Sequence, residues 1–178
     1  MDKYTLMEDM QVDIYGFAET NVAWNPMIMS KMHSQLRINA RGGNSQVKMV
    51  ASSCEDPTLG IYQPGGVCMV ALNKIVGRME KYGKDPSGLG RWTYMTLQGR
   101  KGRKVVIVTS YRLSQNSQPD GYRTAYNQQY RVLRRQGISK PEPKIQFCKD
   151  LLQQIDKWKT DSEVIVMADA NGDMEDKD

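Results

Sequence analysis

The sequence predicts an α/β fold built on a mixed sheet, on three observations. Short apolar segments rich in strand formers alternate with longer stretches of helix formers. Two strand segments, 91–98 and 104–111, are joined only by the Gly-containing GRKGR connection, which makes an antiparallel hairpin. The order of segments (helix, strand, helix, several strands, two helices, strand) is that of an α/β chain.

Residues 3–10 (KYTLMEDM) are a short, moderately helical stretch. Val12, Ile14 and Phe17 lie in a compact apolar segment, so 12–18 reads as a buried strand that delivers Glu19 at its C-terminal end. Asn25-Pro26 opens a helix over 27–37, because proline is tolerated in the first turn. ARGGN at 40–44 is a turn, and QVKMVASS at 46–53 alternates like a strand. Residues 54–65 form a loop, and GVCMVALN at 66–73 is apolar enough to be a central strand. After the hairpin, 114–121 is a polar loop and 122–136 a helix, with Tyr126, Tyr130 and Leu133 at helical spacing. KPEPK at 140–144 is a break. In the helix 145–158, Phe147, Leu151, Leu152, Ile155 and Trp158 share one face. The strand 164–168 then presents Asp169 and Asn171 at its tip.

A length of 178 residues with 39% apolar and 25% charged content describes one globular domain, 1–178, able to bury a core without staples. No apolar run reaches the ~18–20 residues that cross a bilayer, so no membrane partner is expected. The N-terminus has no signal-peptide pattern. Three widely spaced cysteines and a single histidine, His33, argue against a zinc site or disulfide framework and for an intracellular compartment. Gly42-Gly43 and the Gln63–Gly66 stretch lack the context of a nucleotide-binding loop.

The net charge of +5 is unevenly spread. Residues 1–77 carry 6 basic and 7 acidic side chains, 78–149 carry 16 and 4, and 150–178 carry 3 and 9, giving −1, +12 and −6. A basic middle beside an acidic end suits a polyanion-binding surface near a carboxylate cluster, and it equally suits an uneven solvated surface.

Two strand tips share a chemical theme, since Glu19 follows one apolar strand while Asp169 and Asn171 follow another. Carboxylate oxygens from separate strands are what a hard cation such as Mg²⁺ needs, with waters and substrate phosphate completing its shell. DIYGFAETN (13–21) resembles the strand-to-Glu motif of the endonuclease/exonuclease/phosphatase superfamily. QPGGVCMVALNK (63–74), KVVIVTSYRL (104–113) and SEVIVMADAN (162–171) resemble its Gly-Gly-Val-Ala, tyrosine-ended and Gly-Asp-Phe-Asn strands. The four segments occur in family order, closest in flavour to the endonuclease-like domain beside reverse transcriptases in non-LTR retroelements.

The resemblance implies a deoxyribonuclease I-like α/β sandwich and metal-dependent phosphodiester hydrolysis of nucleic acid with Mg²⁺ or Mn²⁺. Glu19 would ligate the cation, and Asp169 would orient or deprotonate the attacking water. Asn171 would hold a phosphate oxygen, and Tyr111 would contact the scissile phosphate. It further implies a reverse transcriptase domain as partner in a longer polyprotein, a nuclear location, and an incomplete domain that begins after the first family strand and ends before its last Asp-His pair. A fragment that binds nucleic acid without cleaving it, or a phosphatase acting on small phosphoesters, fits the same motifs.

For nucleic-acid contact, Arg112 follows Tyr111 directly, while Arg100, Lys101, Arg103 and Lys104 crowd one hairpin tip that could track a phosphate backbone. Arg131, Arg134 and Arg135 extend a basic stripe or form the wet face of a helix. Trp92, Tyr94 and Trp158 are read as core, and His33 as a surface or packing residue.

Overall fold

The computed structural model describes residues 12–39, 46–56, 63–114 and 123–172. Within them the chain runs β1 (Ile14–Ala18), α1 (Pro26–Asn39), β2 (Val47–Ser52), β3 (Val67–Leu72), a 3-10 segment (Asn73–Arg78) and β4 (Met79–Lys84). It continues with β5 (Trp92–Gln98), a 3-10 turn (Arg100–Gly102), β6 (Lys104–Tyr111), α2 (Ala125–Arg135), α3 (Pro143–Trp158) and β7 (Glu163–Asp169). One sheet has the order β1-β3-β2 and is antiparallel throughout. The other, β4-β5-β6-β7, is antiparallel except where β6 and β7 run parallel, so it is mixed, as expected.

Strand alternation sorts the side chains into layers. Val50, Met69, Ala71 and Met95 fill the space between the sheets, with Ile14, Ile107 and Met167 against them. On the far side of the first sheet, Met29, Met32 and Leu36 of α1 pack on Val47, Met49, Cys68 and Val70. On the far side of the second, Phe147 and Leu151 of α3 pack on Trp92, Val106 and Val108. The result is a mixed-sheet α/β sandwich of four layers: helix, sheet, sheet, helix. Gly16 lets β1 come close to the second sheet, since a Cβ there would meet Thr109 Oγ1 and, at 2.9 Å, Met167 Cε.

Several expectations change. The first strand is not buried: among the described residues β1 is a sheet edge, and Phe17 is 41% exposed. Leu152 lies outside the core face of α3 at 61% exposure, because the side of that helix turned from Phe147 and Leu151 meets solvent. The polar segment Met79–Lys84 forms an edge strand that no apolar pattern announces, its outer positions carrying Glu80, Lys81 and Lys84, as suits an edge that must not pair further. Asn73 opens the 3-10 segment, not the end of β3. The readings for 3–10 and 40–44, half of the 54–65 loop and most of the 114–121 loop lie outside the described residues. Trp92, Tyr94 and Trp158 pack in or against the α3 cluster as expected, with the Tyr94 and Trp158 rings 4.9 Å apart. His33 is a packing residue whose Nε2 meets the Val47 carbonyl at 3.1 Å.

Candidate functional site at the strand ends

Parallel pairing of β6 and β7 sets Tyr111 beside Asp169. Across the sandwich, Ala18 at the end of β1 packs in the same cluster as Tyr111 and Val67. Glu19, the next residue, therefore leaves its sheet at the end where Tyr111 and Asp169 leave theirs. Three strands thus deliver Glu19, Tyr111, Asp169 and Asn171 to one rim.

Glu19 is exposed and adopts φ 49°, in the left-handed region that an ordinary side chain avoids. Its loop is held by a short ladder to the 63–66 segment. Thr20 N donates to Gly66 O at 3.1 Å, and Asn21 N to Gly65 O at 2.8 Å. The Asn21 side chain completes the ladder by accepting from Gly65 N at 2.9 Å. Trp24 Nε1 donates to Thr20 Oγ1 at 2.9 Å. Gly65 has φ +78°, and a Cβ there would stand 3.3 Å from the Tyr111 ring. The Glu19 loop thus rests on the Gly65 turn, and that turn rests on Tyr111.

Tyr111 is 4% exposed, enclosed by Val67, Leu113 and Tyr126. Asp169 is half-buried, and one of its carboxylate oxygens accepts from Asn171 N at 3.3 Å. Asn171 adopts φ 43°, and its Nδ2 donates to the Arg112 carbonyl at 2.8 Å. Arg112 Nε donates in turn to Ala170 O at 2.6 Å.

The cations are not gathered at this rim. Lys104 opens β6 and Tyr111 closes it, so seven residue steps of ~3.3 Å put the hairpin tip roughly 23 Å away, at the other end of the sandwich. There Lys104 pairs with Glu80 at 3.3 Å and Asp161 at 3.6 Å, and these carboxylates, Glu80 foremost, push its ammonium pKa up. Arg103 lies 3.9 Å from Glu163, while Arg100 and Lys101 stand exposed. Of the expected nucleic-acid contacts, only Arg112 is at the strand ends. Arg131 and Arg135 close on Asp56, whose side chain is 2% exposed, and so clasp α2 to the loop after β2.

Sequence reasoning alone does not find Asn21 or Gly65. The Gln63–Gly66 stretch seats the Glu19 strand end through its bonds to Thr20 and Asn21. A cavity of about 360 Å³ opens beside α3, lined by Asp85, Arg91, Trp92, Gln146 and Asp150. Arg91 is already bonded there to Asp85 and Asp150, so the charges of its floor are spent on structure.

Among the described residues no group of three or more His, Cys, Asp or Glu is placed to hold a metal. The rim donors, two carboxylates and an amide, are all oxygen ligands and fit a cation that keeps most of its waters, as Mg²⁺ does, rather than one enclosed by protein.

No family model matches the sequence, and no curated protein matches it. The chain is similar to a solved structure of the human Nocturnin catalytic domain with bound sulfate anion, at 15% identity and a TM-score of 0.48. The match covers 98% of this chain and 57% of that one, so the chain spans little more than half the length of this relative.

Proposed function

We propose that this chain hydrolyses phosphodiester bonds of nucleic acid at the rim where β1, β6 and β7 end, with Mg²⁺ or Mn²⁺ as cofactor. The observation that carries the proposal is the delivery of Glu19, Asp169 and Asn171 to one end of the sandwich by strands far apart in sequence. Glu19 is the cation ligand. Asp169 orients the attacking water and accepts its proton, the role of a general base on a rigid strand end. The cation, when bound, polarises the phosphoryl oxygens and stabilises the leaving oxyanion. Tyr111 backs the Gly65 turn on which the Glu19 loop rests. The sequence resemblance extends the proposal to a retroelement setting, with a reverse transcriptase as partner and the nucleus as the place of action.

Plasmid nicking tests it. Relaxed circles should form with Mg²⁺ and not with chelator, and Glu19→Gln and Asp169→Asn should each slow the reaction by ~100-fold or more. Nicking that persists in both variants would sink the proposal. A second reading, binding without cleavage, has its own support: the exposed Arg100 and Lys101 are remote from the carboxylates, and the Asn171 amide is already engaged. It predicts retention of DNA at low salt, a steep loss of affinity as salt rises, and no nicking.

A further inference from the structure

Arg112 follows Tyr111 out of β6, and its place in the sequence makes it the cation expected on substrate. Its contacts point elsewhere. The Arg112 backbone N–H donates to Asp169 O at 2.9 Å, and its carbonyl accepts from Asn171 Nδ2 at 2.8 Å. Its Nε donates to Ala170 O at 2.6 Å, while Nη1 reaches Cys148 Sγ on α3 at 3.9 Å. Nη2 lies so near Gly172 that a Cβ there would strike it. Asn171, held by the Arg112 carbonyl, keeps a left-handed φ of 43° that asparagine tolerates better than most residues.

We propose that Arg112 is a positioning residue: it braces the turn 169–172 against β6 and α3, and so fixes where the Asp169 carboxylate points. The inference rests on the reading of this rim as a hydrolytic site. The geometry suits arginine in particular. The guanidinium directs Nε and Nη1 along fixed, separate lines, so it spans Ala170 and Cys148 at once, whereas a lysine ammonium is a single point of charge. Asp169 begins the turn, so a loosened turn misplaces the group that must orient water. Misplacement by ~1 Å costs on the order of 100-fold in rate.

Two variants of the full chain separate this from phosphate binding. Arg112→Met keeps the stem and removes the donors; Arg112→Lys keeps the charge and removes the fork. Thermal melting verifies that both fold. Under the proposal, hydrogen exchange at the backbone amides of 169–172 quickens by ~10-fold or more in both variants. Nicking kcat falls ~30- to 100-fold with KM nearly unchanged, and lysine does no better than methionine. The dependence of duplex DNA affinity on salt stays that of the parent chain. A phosphate contact gives the opposite pattern: lysine rescues, and the salt slope drops by about 1 in the methionine variant. That pattern, or unchanged exchange in both variants, overturns the brace. If the parent chain nicks nothing, the proposed reaction fails while the exchange experiment still decides the brace.

Discussion

Cys54 and Cys68 sit in separate core clusters, and burial pushes their thiols up to about 11 and about 12 from an ordinary 9.0. In the folded chain both stay protonated through the range where the unfolded chain gives up its thiol protons. Their contribution to stability is therefore complete below pH 9 and is lost as the pH climbs from 9 towards 11 and 12. Each thiol removes ~1.4 kcal/mol per pH unit in that window. Burial also raises the Tyr126 phenol from its ordinary 10.0, which acts in the same direction and overlaps the thiols' window. Urea unfolding at about pH 7, 9 and 10.5 should show stability falling between the last two, and falling less in a Cys54→Ala, Cys68→Val chain. An equal fall in both proteins would remove the thiols as the cause. At this scale the sequence is informative about identity and silent about partners. That the cysteines are unpaired can be read from their spacing, whereas Asn21 and Gly65 meet across 44 positions and nothing local marks either residue.

Between elements, the loop from β4 to β5 is tied to α3 by an ion cluster. Arg91 is 1% exposed; its Nε lies 2.6 Å from Asp85 and its Nη1 2.8 Å from Asp150 on α3. The Asp85 side chain has no access to water, so removing the arginine strands a buried carboxylate. Arg91→Met should cost ~3–5 kcal/mol, and an Arg91→Met, Asp85→Leu pair should recover only part of it, because Asp85 also accepts from the Ser87 N–H and hydroxyl and from the Arg91 N–H. Denaturant midpoints measure this, and a single variant within ~1 kcal/mol of the parent would contradict it. Apolar periodicity makes most elements legible: β2, β3, β5, β6, α2, α3 and β7 lie where their patterns put them. β4 is not legible, because an exposed edge strand needs no apolar face. The pattern misplaces Leu152 because an apolar residue next to the core arc of a helix looks, in sequence, like part of it. The basic hairpin can be read as a hairpin, yet only the direction of β6 shows that it and Tyr111 occupy opposite ends.

For the whole molecule, one edge strand of each sheet, β1 and β7, lies on a shared flank, opposite the flank formed by β2 and β4. β1 pairs only with β3 and β7 only with β6 among the described residues, and β1 and β7 touch across the sandwich. Val12 and Phe17 are 41% exposed there, Ile165 53% and Val166 37%, a run of apolar surface along unpaired backbone. Such an edge invites pairing with another chain, and no lysine or proline within β7 blocks it. Its ends are acidic. An antiparallel pair of β7 strands centred on Val166 would set Glu163 of each copy against Asp169 of the other, which opposes pairing through like charge. Burial of the aliphatic side chains favours association while these carboxylates resist it. Salt weakens only the second effect, since it shortens the screening length from ~30 Å at 0.01 M to ~3 Å at 1 M. Light scattering should therefore report a mass that grows with protein concentration and grows further with added salt. Ile165→Lys, which places a charge at the centre of the exposed edge, should hold the chain monomeric with little change in its melting temperature. Association that is equally strong in the lysine variant, or that salt suppresses, would locate the contact elsewhere, most directly at the charged hairpin tip.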